Sequence, residues 1–511
     1  MRLYVFAIGG TGSRVLKSLL MLCAAGVRPM GEDGRPLEDF EIVPIIIDPH
    51  KSNADLKRTE RLLSAYGLLR RSLHGEALNA EGFFATKISS LRDVVTNAPS
   101  PLDDTFIFNL SAVEHYKFRD FISYNTMNEP NQALTSLLFA DYQLENNMAI
   151  GFVGSPNIGS VALNEIKDSN EFKAFAGSFA QGDRIFFISS IFGGTGAAGF
   201  PILVKNIRQA HNIDAKNRAL LQKAPIGGLT VLPYFTLMES SDKEDRRIDN
   251  ADFVVKTQSA LEYYNHTLTG NGASAVNAIF YLGDHGHNAP YDYDPGDKMD
   301  QHDPAHLVEL VGALAPLRFA AMGERELVDP LTEQPLPTKA FEYGLERDTD
   351  EVDFSALGQE TRRLIYKPLV KLQMLKRFLV AGLPGMIGQG FTQDTPKIGR
   401  ELLSSQFYRV LHDQFFEAHK EWLSELARNR RHVTLFNLGE EQLSRLVRNV
   451  NTRRGFFGSK TVDHNTFKAA MNKLSRDAGS RYSDKSVEFK LFDLFDRAAD
   501  KILAERFEDI N

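Results

Sequence analysis

From Met1 to about Gly283, short runs of apolar, β-branched and aromatic residues alternate with longer stretches in which apolar positions recur every three or four residues. The short runs predict strands at 2–8, 42–47, 104–109, 149–153, 184–190, 227–235 and 277–282, with helices between them. Strands separated by helices do not pair as hairpins, so the pattern implies an α/β fold on a mostly parallel sheet. The stretch 51–148 is long for a crossover and carries helical patches such as 131–140, which marks part of it as an insertion. An apolar helix over 303–321, with Leu307, Leu310, Val311, Leu314 and Leu317 in register, follows a loop rich in Asp, His, Pro and Gly.

After Thr349 the pattern is nearly all helical. Leu364, Leu372, Leu375 and Leu379 recur at helical spacing until Pro384-Gly385, and further helices are predicted at 397–428, 440–449, 464–476 and 486–508. The chain thus divides into a sheet domain at 1–322, a connecting loop at 323–356 and a mainly helical C-terminal domain at 357–511. No internal repeat is visible, which argues against a solenoid.

Composition narrows the setting. A net charge of −7 over 511 residues argues against nucleic acid or an anionic membrane as the bulk partner. The single cysteine, Cys23, makes no internal disulfide and reads as a small core residue in a reducing compartment. The chain enters a strand almost at once, leaving no room for a secretory leader, and no apolar run approaches the ~20 residues that span a bilayer. The expectation is a cytoplasmic protein without a membrane segment.

Candidate chemistry sits in two glycine loops, each between a strand run and a helix run. The first is Gly9-Gly10-Thr11-Gly12-Ser13, and the second is Gly193-Gly194-Thr195-Gly196-Ala197-Ala198-Gly199. Strand, glycine turn and helix together aim backbone N–H groups and a helix dipole at an anion. A Cβ at the turn would block a phosphate's approach. Neither loop has the Gly-Lys-Ser/Thr of a P-loop, and the first lacks the third glycine of a dinucleotide fingerprint.

The order of segments resembles the tubulin and FtsZ superfamily of GTPases, and Gly193 to Pro201 is closely similar to that superfamily's signature loop. The resemblance to a bacterial tubulin-like protein covers roughly the first two-thirds of the chain. It implies that Gly9, Gly10, Thr11, Gly12 and Ser13 approach the α and β phosphates. It also implies that Asp48, with Asn53, lies near the phosphates or Mg²⁺. Gly154, Ser155, Pro156 and Gly159 resemble the loop that meets the terminal phosphate, with Ser155 where the family has Asn. Leu232-Pro233-Tyr234-Phe235 resembles the strand end before the ribose loop, Asn250 falls at the ribose or base edge, and Asp303 near the base. Glu351-Val352-Asp353 resembles the acidic loop that enters the next subunit's pocket, making Glu351 and Asp353 the catalytic candidates; Glu351 stands where the family has Asn, and Ala356 replaces its second acid.

Taken together, the resemblance implies GTP or GDP with Mg²⁺ as ligands. It further implies a slow GTPase whose nucleotide state controls self-assembly or partner binding, with the C-terminal helices as a docking unit. The altered acidic loop and the replaced C-terminal domain also permit a non-polymerising scaffold. A Rossmann oxidoreductase would rest on the first loop alone, and the second loop argues against it. Plainer roles compete at several positions. Asn250 and Asp353 are equally readable as helix-start residues. The acidic stretch from Asp284 to Asp303 has no metal-ligand spacing and reads as a solvated loop. The basic runs 428–432 and 453–457 read as exposed helix ends and loop charges, and Trp422 as core of a helical bundle.

Overall fold

The computed structural model describes the chain except residues 52, 96–101, 103–105, 109, 111–112, 114, 153, 211–212, 236–249, 270–273, 285–303, 333, 343–344, 346–347, 456–457, 460 and 509–511. Seven strands form one sheet: β1 (Arg2–Ile8), β2 (Glu41–Ile47), β3 (Lys87–Ile88), β4 (Arg184–Ser190), β5 (Ile226–Val231), β6 (Ala278–Leu282) and β7 (Lys339–Glu342). They lie in the order β3-β2-β1-β4-β5-β6-β7, and every neighbouring pair is parallel. The first six follow the order of a Rossmann-like core, in which the chain reverses direction between β1 and β4.

Strands β2, β4 and β5 are buried at every residue, as expected where helices cover both faces of a parallel sheet. Alternate side chains show the two faces. Phe186 packs on Phe319, whereas its neighbour Phe187 packs on Phe200. In β5 the same positions are Gly227 and Gly228, because a Cβ would lie 2.8 Å from the Phe319 ring and 2.3 Å from that of Phe200. Two glycines in a central strand thus let aromatic rings approach the backbone closely.

Helix α1 (Gly9–Ala25) is buried at every position but Gly10. A helix apolar on all sides needs cover on all sides. The sheet supplies one wall, and α2 (Ala54–His74), the core helix beginning at Leu307 and the C-terminal helix Gln359–Arg377 supply the others. Trp422 is fully buried and donates its Nε1–H to Ser18 Oγ of α1 at 3.1 Å. It therefore joins the C-terminal helices to the sheet unit instead of filling a separate bundle. One continuous hydrophobic cluster runs from Leu3 to Phe507.

Several elements differ from the sequence expectation. Residues 323–356, expected to be a connection, supply β7 and the short strand Glu351–Val352, which pairs in parallel with His432–Val433. The helix expected over 303–321 is described as two, Leu307–Gly312 and Ala315–Ala321. The helix expected over 440–449 is a 3₁₀ turn at Leu443–Arg445 beside a Phe436–Val447 bridge. The segment 104–109 contributes one bridge, Ile107 to Ile46. Residues 149–153 hold no described strand, and Gly151 turns there with φ +93°. Among the described residues no helix is long and apolar enough to cross a membrane.

Candidate functional site

All the parallel strands end on the same edge of the sheet, so the loops after β1 and β4 emerge side by side where the strand order reverses. Ligands of open α/β sheets bind in the crevice at such a switch point. Three of the sequence-predicted loops meet there. A Cβ on Gly9 would lie 3.6 Å from Thr195 Cβ and 3.8 Å from Gly196 N, one on Gly194 would lie 3.0 Å from Ser155 N and 3.1 Å from Gly154 N, and one on Gly159 would lie 2.8 Å from the Gly194 carbonyl. Gly9 and Gly154 adopt φ of +71° and +65°, a conformation that favours glycine.

The glycines divide into two kinds. Gly12 and Gly196 serve packing: a Cβ would sit 2.7 Å from the Ala7 carbonyl carbon or from the Ser190 oxygen. A Cβ on Gly193 would lie 2.9 Å from Ser190 Oγ. Gly10 has open space around its Cβ direction and is the only half-exposed residue of α1. A side chain at position 10 would therefore meet no neighbouring atom as it left the loop.

Each loop opens a helix: α1 at Gly9, Pro156–Leu163 and Gly194–Arg208. In none of the three does the N-cap residue's side chain cap the first turn, although in the second the Ile158 N–H is taken by Asn157 Oδ1 at 3.0 Å. Their first-turn N–H groups carry partial positive charge toward the crevice. Beside them α2 is closed, since Asn53 accepts from the N–H groups of Asp55 and Leu56. Asn53 is therefore a helix cap. Ser155 accepts a hydrogen bond from Gln143 Nε2 at 3.1 Å, Thr11 and Ser13 are buried, and the Ser13 carbonyl accepts from Thr59 Oγ1 at 3.0 Å.

Asp48 follows β2 next to Gly9, because Ile47 and Ile8 are paired in register. It is buried, accepts the His50 N–H at 2.9 Å, and burial pushes its carboxyl up to about 7. Asn250 begins the helix Asn250–Tyr264, and Asp303 lies outside the described residues. Glu351 and Asp353 make their contacts with the C-terminal unit, through Arg448 and Asn449. Asp353 accepts from Ser355 Oγ, Asn449 Nδ2, Ser355 N and Ala356 N, at 2.6, 2.6, 2.8 and 3.2 Å. Burial works upward on its carboxyl, but these hydrogen bonds outweigh it and hold the acid below its usual range. Glu351 pairs with Arg448 at 3.3 Å. Within one chain, then, Asp353 ties the turn that follows it, and the helix-start role falls to Gly358, the N-cap of Gln359–Arg377.

Sequence reasoning missed the ionic layer beneath the loops. Arg14 of α1 donates to Glu309 Oε1 at 2.7 Å, to Asp55 Oδ2 at 3.3 Å and to the Tyr234 hydroxyl at 2.5 Å. Glu425, on the C-terminal helix Glu417–Arg428, receives Lys17 at 3.0 Å and Arg58 at 2.5 Å. Burial raises Glu309, with Arg14 opposing it. At Glu425 the two cations outweigh burial and lower it. The signal was present: Arg14 and Lys17 are the only charges in α1, and Glu309 sits inside Leu-Val-Glu-Leu-Val. A lone charge in an apolar run marks a buried pair.

The two stretches weighed as solvated also carry buried members. Asp284 is paired with Arg431, and both are almost wholly inside; the metal-type residues 285–303 lie outside the described residues. Among the described residues no three acids, histidines or cysteines gather on one point. Cys23 is buried, and burial pushes its thiol up to about 12, the behaviour of a core residue. Comparison of the chain with models of protein families and with curated proteins found no match.

Proposed function

We propose that this chain is a tubulin-like GTP-binding protein, a slow Mg²⁺-dependent GTPase whose nucleotide state controls self-assembly or partner binding. The observation that supports it most is the meeting of the Gly9, Gly154 and Gly194 loops at the switch point, each opening a helix whose N-cap residue makes no side-chain cap. Three helix ends aimed at one crevice favour a ligand with several anionic groups, as a nucleoside triphosphate has. Backbone N–H groups of Gly10 to Gly12 and of Gly194 to Gly196 would hold the phosphates, and the Gly154–Ser155 turn the terminal one. Phosphoryl transfer to water needs positioning and charge stabilisation more than covalent help, which this cradle supplies.

Asp48 fits a role beside Mg²⁺, because a cation there would keep a buried carboxylate ionised. With no group of three acids, histidines or cysteines gathered on one point among the described residues, the ion would be held mainly by phosphate and water. When bound, Mg²⁺ would neutralise charge developing on the phosphates.

A non-polymerising nucleotide-binding scaffold is the second reading. It is favoured by Asp353 and Glu351, whose carboxylates are engaged within their own chain. GTP-dependent light scattering at rising protein concentration separates the two readings.

Nucleotide binding itself is tested by thermal unfolding with GTP, GDP, ATP and NAD in the presence of Mg²⁺, since a ligand bound only to the folded state raises the Tm by mass action. A shift with GTP and GDP is expected, and its loss in Gly10→Glu, where the new side chain meets open space and places a negative charge in the crevice. No shift with any nucleotide overturns the proposal.

A further inference from the structure

In the basic run that ends the helix Glu417–Arg428, Arg428 and Arg430 are exposed, but Arg431 is buried. Arg431 forks onto Asp284, with Nε to Oδ2 at 2.8 Å and Nη2 to Oδ1 at 3.0 Å. Asp284 stands two residues beyond β6, on the sheet edge that carries the glycine loops. Asn429 donates Nδ2 to the Ala305 carbonyl at 2.6 Å, and Glu425 accepts the Ala305 N–H at 3.1 Å. Three side chains within seven residues thus hold both the exit of β6 and the approach to the core helix.

The contact continues inward. His306 accepts the Val308 N–H on Nδ1 at 3.1 Å, so its proton sits on Nε2, which lies 3.7 Å from Asp284 Oδ2. Its ring stands 5.0 Å from that of Tyr234, whose hydroxyl is bonded to Arg14, at the end of the first glycine loop, and to Glu309. Buried ion pairs are weak sources of stability, and apolar residues of similar volume hold two elements together at least as well. What the fork and the paired backbone contacts add is direction: they fix the angle and register of what they hold.

We propose that Glu425, Asn429 and Arg431 are positioning residues of the candidate nucleotide site, through which the C-terminal unit sets the β5–β6 side of the crevice against the glycine loops. The proposal rests on the crevice being a nucleotide site, and small misplacements there carry large costs in ligand binding. Its test is a titration of the full-length protein with GTP and Mg²⁺ by calorimetry, comparing wild type with Arg431→Gln, Arg431→Lys, Asp284→Asn and Arg481→Gln, and with the fold of each followed by circular dichroism. Arg431→Gln and Asp284→Asn are expected to weaken binding at least tenfold while folded. Arg431→Lys, which keeps the charge without the fork, should recover part of the loss. Arg481→Gln breaks an ion pair with Asp493 elsewhere in the C-terminal unit and should bind as wild type does.

If Arg431→Gln and Asp284→Asn fold and bind like wild type, the positioning role is overturned and the nucleotide reading stands. Should Arg431→Gln not fold, the isosteric Asp284→Asn carries the comparison; if that too fails to fold, the contact is a stability element and the proposal is wrong. A wild type that binds no GTP removes the underlying reading itself.

Discussion

Asp48 is where one residue's chemistry makes the sharpest prediction. Its folded value of about 7 lies above the ordinary 3.8, so the folded state prefers the protonated acid. The stability this gives is fully present below the unfolded value and is lost as pH rises through about 7. The nucleotide-free protein should therefore lose stability between about pH 4 and pH 7, by up to ~4 kcal/mol from this residue. Asp48→Asn should flatten that part of the profile, which Tm measured against pH will show. If Mg²⁺ lies beside the carboxylate, the stabilisation by GTP and Mg²⁺ should grow with pH through the same window in wild type and not in the variant. An unchanged profile in Asp48→Asn contradicts the assignment.

At the scale of elements, what was legible in the sequence was whatever is buried on both faces. Strands β1, β2, β4, β5 and β6 stand out because each is built mainly of apolar or β-branched residues, and the glycine loops stand out because they follow such runs. Strand β7, Lys-Ala-Phe-Glu, is half-exposed at the sheet edge, and β3 has two residues; neither carries enough pattern to be seen. The 440–449 segment has helical spacing, yet its apolar residues are drawn instead into a bridge with Phe436. The loops of the site could be read because each is local. The ionic layer could not, because Lys17 and Glu425 stand 408 positions apart and no periodicity links them. That layer makes its own prediction. Glu425→Ala leaves Lys17 and Arg58 buried without their shared acid, and should lower stability by about 3–5 kcal/mol in denaturant unfolding. A loss under about 1 kcal/mol would mean that the two cations find other partners.

For the molecule as a whole, a division into a sheet domain and a helical domain describes composition better than it describes packing. Helix α1 is covered by sheet on one side and by C-terminal helix on another, and the hydrophobic cluster does not break between them. Pieces that share one core unfold together. Calorimetry on the nucleotide-free chain is accordingly expected to show one endotherm, with far-UV circular dichroism changing at the same temperature; two resolved endotherms would show that the helical part keeps its structure without the sheet.

The chain's one tryptophan stands at that seam, dry and hydrogen-bonded through its indole N–H to Ser18. Its emission is therefore an intrinsic optical gauge of the joint between the first helix and the last third of the chain. A separation of the two would admit water to the indole and move the emission to the red, in a signal undiluted by any other indole and readable in real time without a label.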